Sequence, residues 1–278
     1  MLSYRHAFHA GNHADVLKHL VLFLVLRYFN SKNKPYWYID THAGAGLYSL
    51  LDEKSQKTSE YQDGIQRIKS AGKNLCEPLA AFLQQLNCIL PDDNHYAGSP
   101  YIALHTACSG TKHRLFELHS SDFPLLQQAI GDNKNTIIKN TDGFHGLIAT
   151  IPPPCKRAVV LIDPPYETND DYHLVQKTLQ NAIKRFATGC YLIWYPQLNK
   201  IESKSLPEKL CNITSRYLHA VLTVKSPSQD GFGMMGSGMV VINPPYVLHN
   251  ELQVALPQLT CLLAQDSSAN YKLDILAS

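Results

Sequence analysis

The chain of 278 residues contains no run of eighteen apolar residues, so no segment reads as a membrane-spanning helix. Its opening, MLSYRHAFHAGNH, lacks the apolar centre and small-residue cleavage site of a secretory leader, which sets the expectation of a cytoplasmic protein. There is no Cys-x-x-Cys pair. The seven cysteines are scattered from Cys76 to Cys261 and odd in number, which argues against a zinc site or a disulfide frame and for buried, reduced thiols. No His-Glu-x-x-His or similarly paired spacing occurs either, so no metal is expected. Internal repeats and low-complexity tracts are also missing.

What is present is a large apolar fraction, 45%, enough to build a sizeable core. The net charge is only +2, but it is unevenly placed. Residues 1–34 carry Arg5, Lys18, Arg27, Lys32 and Lys34 against Asp15 alone, a net +4, with Tyr4 and Phe8 interleaved. A basic arm with aromatics suits phosphate contact and base stacking, and Arg5, Lys18 and Tyr4 are its candidate substrate contacts.

The apolar pattern alternates. Residues 14–30 read as a helix capped by Gly11-Asn12, and KPYWYID as a strand that ends in the glycine-rich turn DTHAGAG. Residues 49–97 interrupt the first crossover, lack strand signals and suggest a small helical insertion. Ser99 is a candidate helix cap, with Pro100 at the first helical position. Strands are then expected at HRLFELH, NTIIKN, RAVVLID, GCYLIWYP, HAVLTVKS and, last, GMVVIN. Buried β-branched strands separated by helices imply a single α/β domain over 1–278. Its sheet should be mostly parallel and seven-stranded, with an antiparallel pair at one edge.

Ligands of such sheets bind at the carboxyl ends of the strands. Gly44 and Gly46 let the backbone approach a ligand closely. Glu117, ending the second strand, can accept both hydroxyls of a ribose. Asp142, ahead of Gly143, can accept a hydrogen from an adenine amine. The most specific signal is Asp163-Pro164-Pro165-Tyr166. Two prolines after an acid stiffen the chain just past a buried strand. The Asp163 carboxylate and Pro164 carbonyl can then face one amino group. An exocyclic adenine amine is a poor nucleophile because its lone pair is delocalised; accepting both its hydrogens favours attack on a sulfonium methyl. Tyr166 would give the base a face to stack on. Asn243-Pro244-Pro245-Tyr246 is a competing tetrapeptide, disfavoured because it follows the last strand. Asp163→Ala is expected to leave the fold intact, as a change at an exposed strand end.

The opening MLSYRHAFHAGNHADVLKH, the DTHAGAG and DPPYE turns, Gly98-Ser99-Pro100 and GSGMVVINPP resemble, over essentially the whole chain, the RlmJ-type 23S ribosomal RNA adenine-N6 methyltransferases of bacteria. That resemblance implies a Rossmann-like class I fold, S-adenosylmethionine as cofactor, 23S rRNA as partner and a monomer. It places cofactor contacts on His19, His42, Ser99, Glu117, Asp142, Gly143 and Asp163, catalysis on Asp163, and a substrate contact on Tyr4. The alternatives are a DNA adenine methyltransferase and a non-catalytic RNA-binding protein of the same fold.

Overall fold

The computed structural model describes residues 5–228 and 233–277. Helix α1 (His13–Ser31) begins where Gly11 adopts a positive φ of 79° and the Asn12 side chain accepts the Ala14 and Asp15 amides, both at 2.9 Å. It is apolar on nearly every side and buried from His13 to Leu26, as a helix covered by neighbours all round must be. Then come β1 (Trp37–Asp40), β2 (Leu47–Ser49), α2 (Glu53–Thr58), α3 (Ile65–Ala71), α4 (Glu77–Ile89), β3 (His95–Ala97) and α5 (Ser99–Thr106). From β4 (Lys112–Phe116) the alternation is regular: α6 (Asp122–Ile130), β5 (Thr136–Lys139), α7 (Gly143–Thr150), β6 (Ala158–Ile162), α8 (Asn169–Arg185), β7 (Cys190–Gln197) and α9 (Ile201–Cys211). The chain ends with β8 (Arg216–Thr223), β9 (Gly236–Ile242), α10 (Leu248–Leu263) and β10 (Asn270–Ala277).

The main sheet has eight strands in the order β10-β8-β9-β7-β6-β1-β4-β5. Five neighbours, β7 to β5, run parallel; β9 is antiparallel to both β7 and β8, and β10 is antiparallel to β8. Three expectations need correction. The sheet has eight strands rather than seven, because α10 and β10 follow what reads as the last strand. The sequence of β10, NYKLDILA, mixes Lys and Asp into its alternation because it is an edge strand, covered less than a central one. The β8–β9 pair is not at the edge: β9 inserts between β7 and β8. And the stretch 49–97 is not purely helical, since β2 and β3 pair antiparallel and close its neck.

Two apolar layers cover the sheet. On one side α1 packs with α4, α5 and α10; on the other α7, α8 and α9 bury Leu147, Val175, Leu179 and Leu206. β6 is buried at all five positions, so its carboxyl end opens from the middle of the sheet.

Candidate active site

The turn after β1 is held by carboxylates. Asp40 accepts hydroxyl hydrogens from Tyr38 and Ser99, each at 2.6 Å, and the His42 amide at 3.3 Å. Burial pushes its carboxyl up to about 6, against the pull of those donors. Ser99 is therefore the first residue of α5, with Gly98 as its cap position, and its hydroxyl is spent on Asp40. Glu117, at the end of β4, accepts the Gly44 amide on one oxygen and the His119 amide on the other, both at 2.7 Å. Burial raises its pKa as well. Gly44 and Gly46 sit at φ of 62° and 81°, where a side chain is strained.

The next strand end is equally tight. Asp142 caps α7 by accepting the His145 amide at 2.8 Å. A Cβ on Gly143 would stand 1.8 Å from the Thr41 carbonyl oxygen, so only glycine lets α7 approach β1. Two histidines line the same space. His42 meets Thr41 Oγ1 through Nδ1 at 2.8 Å and packs edge-on to Phe144. His19 meets the Tyr96 hydroxyl at 2.7 Å. Burial pulls His42 down to about 4 and His19 to about 3, so both are neutral at pH 7.

Asp163 lies at the end of β6 with a side chain 13% exposed, and Lys18 from α1 donates to it at 2.6 Å. Lys18 also reaches Asp15 at 2.8 Å, and Asp15 in turn meets His6 Nε2 and the Gly11 amide, both at 2.9 Å. Burial disfavours the charges of Lys18 and Asp15, yet the flanking carboxylates hold the Lys18 pKa above its ordinary value. His6 and Lys18 hold Asp15 well below its own. Lys18 is thus taken up inside the protein, and the expected phosphate contact does not describe it.

These residues surround one cavity of about 210 Å³, whose lining includes Lys18, His19, His42, Ser99, Glu117, Asp142, Gly143, Asp163 and Pro164. Tyr166 is not in that lining. It is buried, with φ of 52°, donates its hydroxyl to the Trp194 carbonyl at 2.7 Å and packs its ring on Tyr172. The aromatic wall of the cavity is Trp194, in the middle of β7, together with Phe144 and Tyr48. Arg5 is not in the lining but pairs at 3.2 Å with Asp122, which is, and Tyr4 lies outside the described residues. Asn243 falls at the opposite end of the sheet, because β9 runs antiparallel and Ile242 pairs with Tyr191 at the start of β7. Its amide donates to the Ala187 and Gly189 carbonyls, both at 2.8 Å, and fixes an edge turn.

Sequence reasoning placed Asp40 in the strand-end cluster but missed Asp15 and Trp194. Asp15 could have been suspected as an acid inside an apolar segment, where an unpaired charge is too costly to keep. Trp194 carries no such signal, because an aromatic in a buried strand reads as core.

An open, mainly parallel sheet with a reversed edge, a glycine turn after β1 and acids at successive strand ends defines a Rossmann-like class I methyltransferase fold. Residues 33–276 match the family described as ribosomal RNA large subunit methyltransferase D, RlmJ, and the chain belongs to that family. It is 43% identical over 277 residues to ribosomal RNA large subunit methyltransferase J of Haemophilus influenzae, covering 99% of this chain and 98% of that one. It is 41% identical over 261 residues to the protein of the same name from Escherichia coli, covering 93% of each. A solved structure from Legionella pneumophila superposes with a TM-score of 0.89 at 33% identity, covering 97% of this chain and 99% of that one. No helix among the described residues is long and apolar enough to cross a membrane.

Proposed function

We propose that this protein transfers a methyl group from S-adenosylmethionine to the N6 amine of an adenine in 23S rRNA, acting as a monomer in the cytoplasm. The observation that carries the reading is the meeting of Asp163-Pro164 with Glu117, Asp142 and the glycine turn around one cavity. The donor set fits the cofactor. Each oxygen of Glu117 takes one amide and keeps a lone pair for a ribose hydroxyl, and Asp142 has a second oxygen free of its capping bond. When bound, the cofactor supplies the sulfonium methyl. His19 and His42, neutral at pH 7, add no charge that would repel it.

For the amine, the chain's work is positioning. The Asp163 carboxylate and the Pro164 carbonyl accept the two N6 hydrogens and turn the nitrogen lone pair toward the methyl. Lys18, donating to Asp163 at 2.6 Å, fixes the position of that carboxylate. A base that enters must first leave its stack. The face open to it is that of Trp194, while Tyr166 supports Trp194 from beneath.

The test is transfer of labelled methyl into total RNA from a strain lacking the protein, followed by mapping, with a DNA of the same sequence as the comparison. Label on an adenine N6 of 23S rRNA supports the reading. Equal or better transfer to DNA makes it a DNA enzyme, and no transfer to either makes it a binding protein.

A further inference from the structure

We propose that the end of the molecule opposite the cleft is a second RNA-binding face, gripping the phosphate backbone of the same folded rRNA at a distance from its target base. This rests on the reading of the cleft as an rRNA methyltransferase site.

The parallel strands all begin at that end, and the loops that lead into them are basic. Lys32 and Lys34 precede β1, Lys112 opens β4, and Lys156 and Arg157 precede β6. All are exposed except Arg157, which is half-buried. The loops lie side by side. The Arg157 guanidinium donates to the Lys34 carbonyl, the Trp37 amide to the Arg157 carbonyl at 2.9 Å, and the Lys112 amide to the Tyr36 carbonyl at 3.1 Å. Among the described residues none of these five cations is in an ion pair, so each is open to an external anion. The neighbouring acids Glu77 and Glu251 are held by Arg27, leaving Asp132 and Glu208 as the other carboxylates at this end.

Complementing helix dipoles does not account for the pattern. Six helices end here, and Lys32 is the C-cap of α1 while α5, α8 and α9 end in basic residues, but Lys34, Lys112, Lys156 and Arg157 lie in or at the mouths of loops, away from any last turn. An aromatic pair, Tyr246 exposed and Tyr28 half-buried, completes the face. Tyr246 is 72% exposed and meets Tyr28 edge-to-face at 5.5 Å, with the Lys32 ammonium 4.7 Å from one ring and 5.6 Å from the other. That is a surface for a base or ribose beside phosphates.

The cleft end has the opposite character. Asp15, Glu117, Asp122, Asp142, Asp163 and Asp171 line the cavity and Asp170 opens α8 beside them; of the cations at this end Arg5 and Lys18 are already paired, which leaves Lys139 at the end of β5 and Lys200 ahead of α9. A polyanion drawn to the cleft alone meets carboxylates, so the long-range attraction that phosphates require comes from the other end. The +4 of residues 1–34 is itself split by α1, which sets Arg27 roughly 14 Å and Lys32 roughly 21 Å along its length from Lys18 in the cleft. A short hairpin seated in the cleft does not span the molecule; a folded rRNA does.

The test is the variant Lys32→Glu/Lys34→Glu/Lys112→Glu/Lys156→Glu, none of which touches the cleft. Binding of 23S rRNA is measured by filter retention across a salt series, and methyl transfer is measured on 23S rRNA and on a short hairpin carrying the mapped adenine. Thermal melting confirms that the variant folds. The expected result is a slope of log affinity against log salt reduced by about 3, at roughly 0.7–0.9 per lost phosphate contact. KM for 23S rRNA should rise at least tenfold, while turnover of the hairpin is unchanged. An unchanged slope and KM on 23S rRNA overturns the proposal, as does an equal loss on the hairpin. Vesicles of anionic phospholipid that bind the wild type and not the variant, with RNA binding unaltered, overturn it in favour of a membrane surface. If the wild type methylates neither RNA, the reading of the cleft fails, while the salt slope still tests the face.

Discussion

Lys18 and Asp163 come from residues 145 positions apart and meet at 2.6 Å, in a place where neither charge could be left alone. Asp163 was expected to be a replaceable side chain at an exposed strand end. The structure makes it the partner of a buried ammonium instead. Asp163→Ala should therefore abolish methyl transfer and also destabilise the protein, since breaking a buried pair costs about 3–5 kcal/mol. Urea denaturation alongside the activity assay separates the two effects, and unaltered stability would mean that Lys18 does not depend on this carboxylate. Glu117 also has two duties, because it holds the Gly44 amide as well as facing the cavity. Glu117→Ala should weaken S-adenosylmethionine binding by about 1–3 kcal/mol, with Glu117→Gln in between because it keeps an acceptor oxygen. Calorimetry reads both, and unchanged affinity in the alanine variant removes Glu117 from the site.

Two elements are fixed by single contacts. α7 starts so close to the exit of β1 that a methyl group on Gly143 overlaps the Thr41 carbonyl. Gly143→Ala should move the helix start, cost about 1–3 kcal/mol and reduce cofactor affinity, because Asp142 moves with it. A variant as stable and as tight-binding as the wild type would show that the approach is looser than this geometry. The turn after β9 gives the contrasting case. Asn243→Ala loses two side-chain bonds to carbonyls and should cost on the order of 1 kcal/mol without changing turnover at saturating substrate. A collapse of turnover in a folded Asn243→Ala would exchange the roles of the two proline tetrapeptides.

The molecule as a whole should be sensitive to acid. His13, His19 and His42 are buried, with pKa values pulled down to about 4, about 3 and about 4. Between pH 6.5 and about 4 each holds a proton in the unfolded chain but not in the folded one, so stability falls as pH falls through that window. Asp40, raised to about 6, acts the other way: its contribution is complete at low pH and is lost as pH rises through about 6. Glu117, also raised, has the same sign. With His113 and His219, both also pulled down to about 4 by burial, five histidines outweigh two carboxyls, and the unfolding free energy should drop by about 4–7 kcal/mol between pH 7 and pH 5. Equal stability at both, measured by urea titration, would mean that these imidazoles are solvated.

Local sequence by itself determined most of the elements, though not β2, β3, α10 or β10, and the cluster of strand ends. The Asn12 cap, the unbroken apolar face of α1, the buried run of β6 and the stiff Asp163-Pro164-Pro165 turn are properties of adjacent residues, and adjacency is what a sequence displays. The family resemblance is of the same kind, being carried by short motifs. Tertiary structure alone decided which side chains those elements leave open. Tyr166 follows the motif but is covered by Tyr172 and Trp194, and Trp194 takes its place at the cavity wall. Ser99 looks like a cap and is instead a donor to Asp40, 59 positions away. β9 enters the sheet between β7 and β8, and β10 closes the edge, because pairing partners are set by backbone bonds between distant segments. The same is true of charge. A basic stretch in the first 34 residues is one feature on paper, but a 19-residue helix carries its two halves to opposite ends of the molecule, where one meets buried carboxylates and the other meets water.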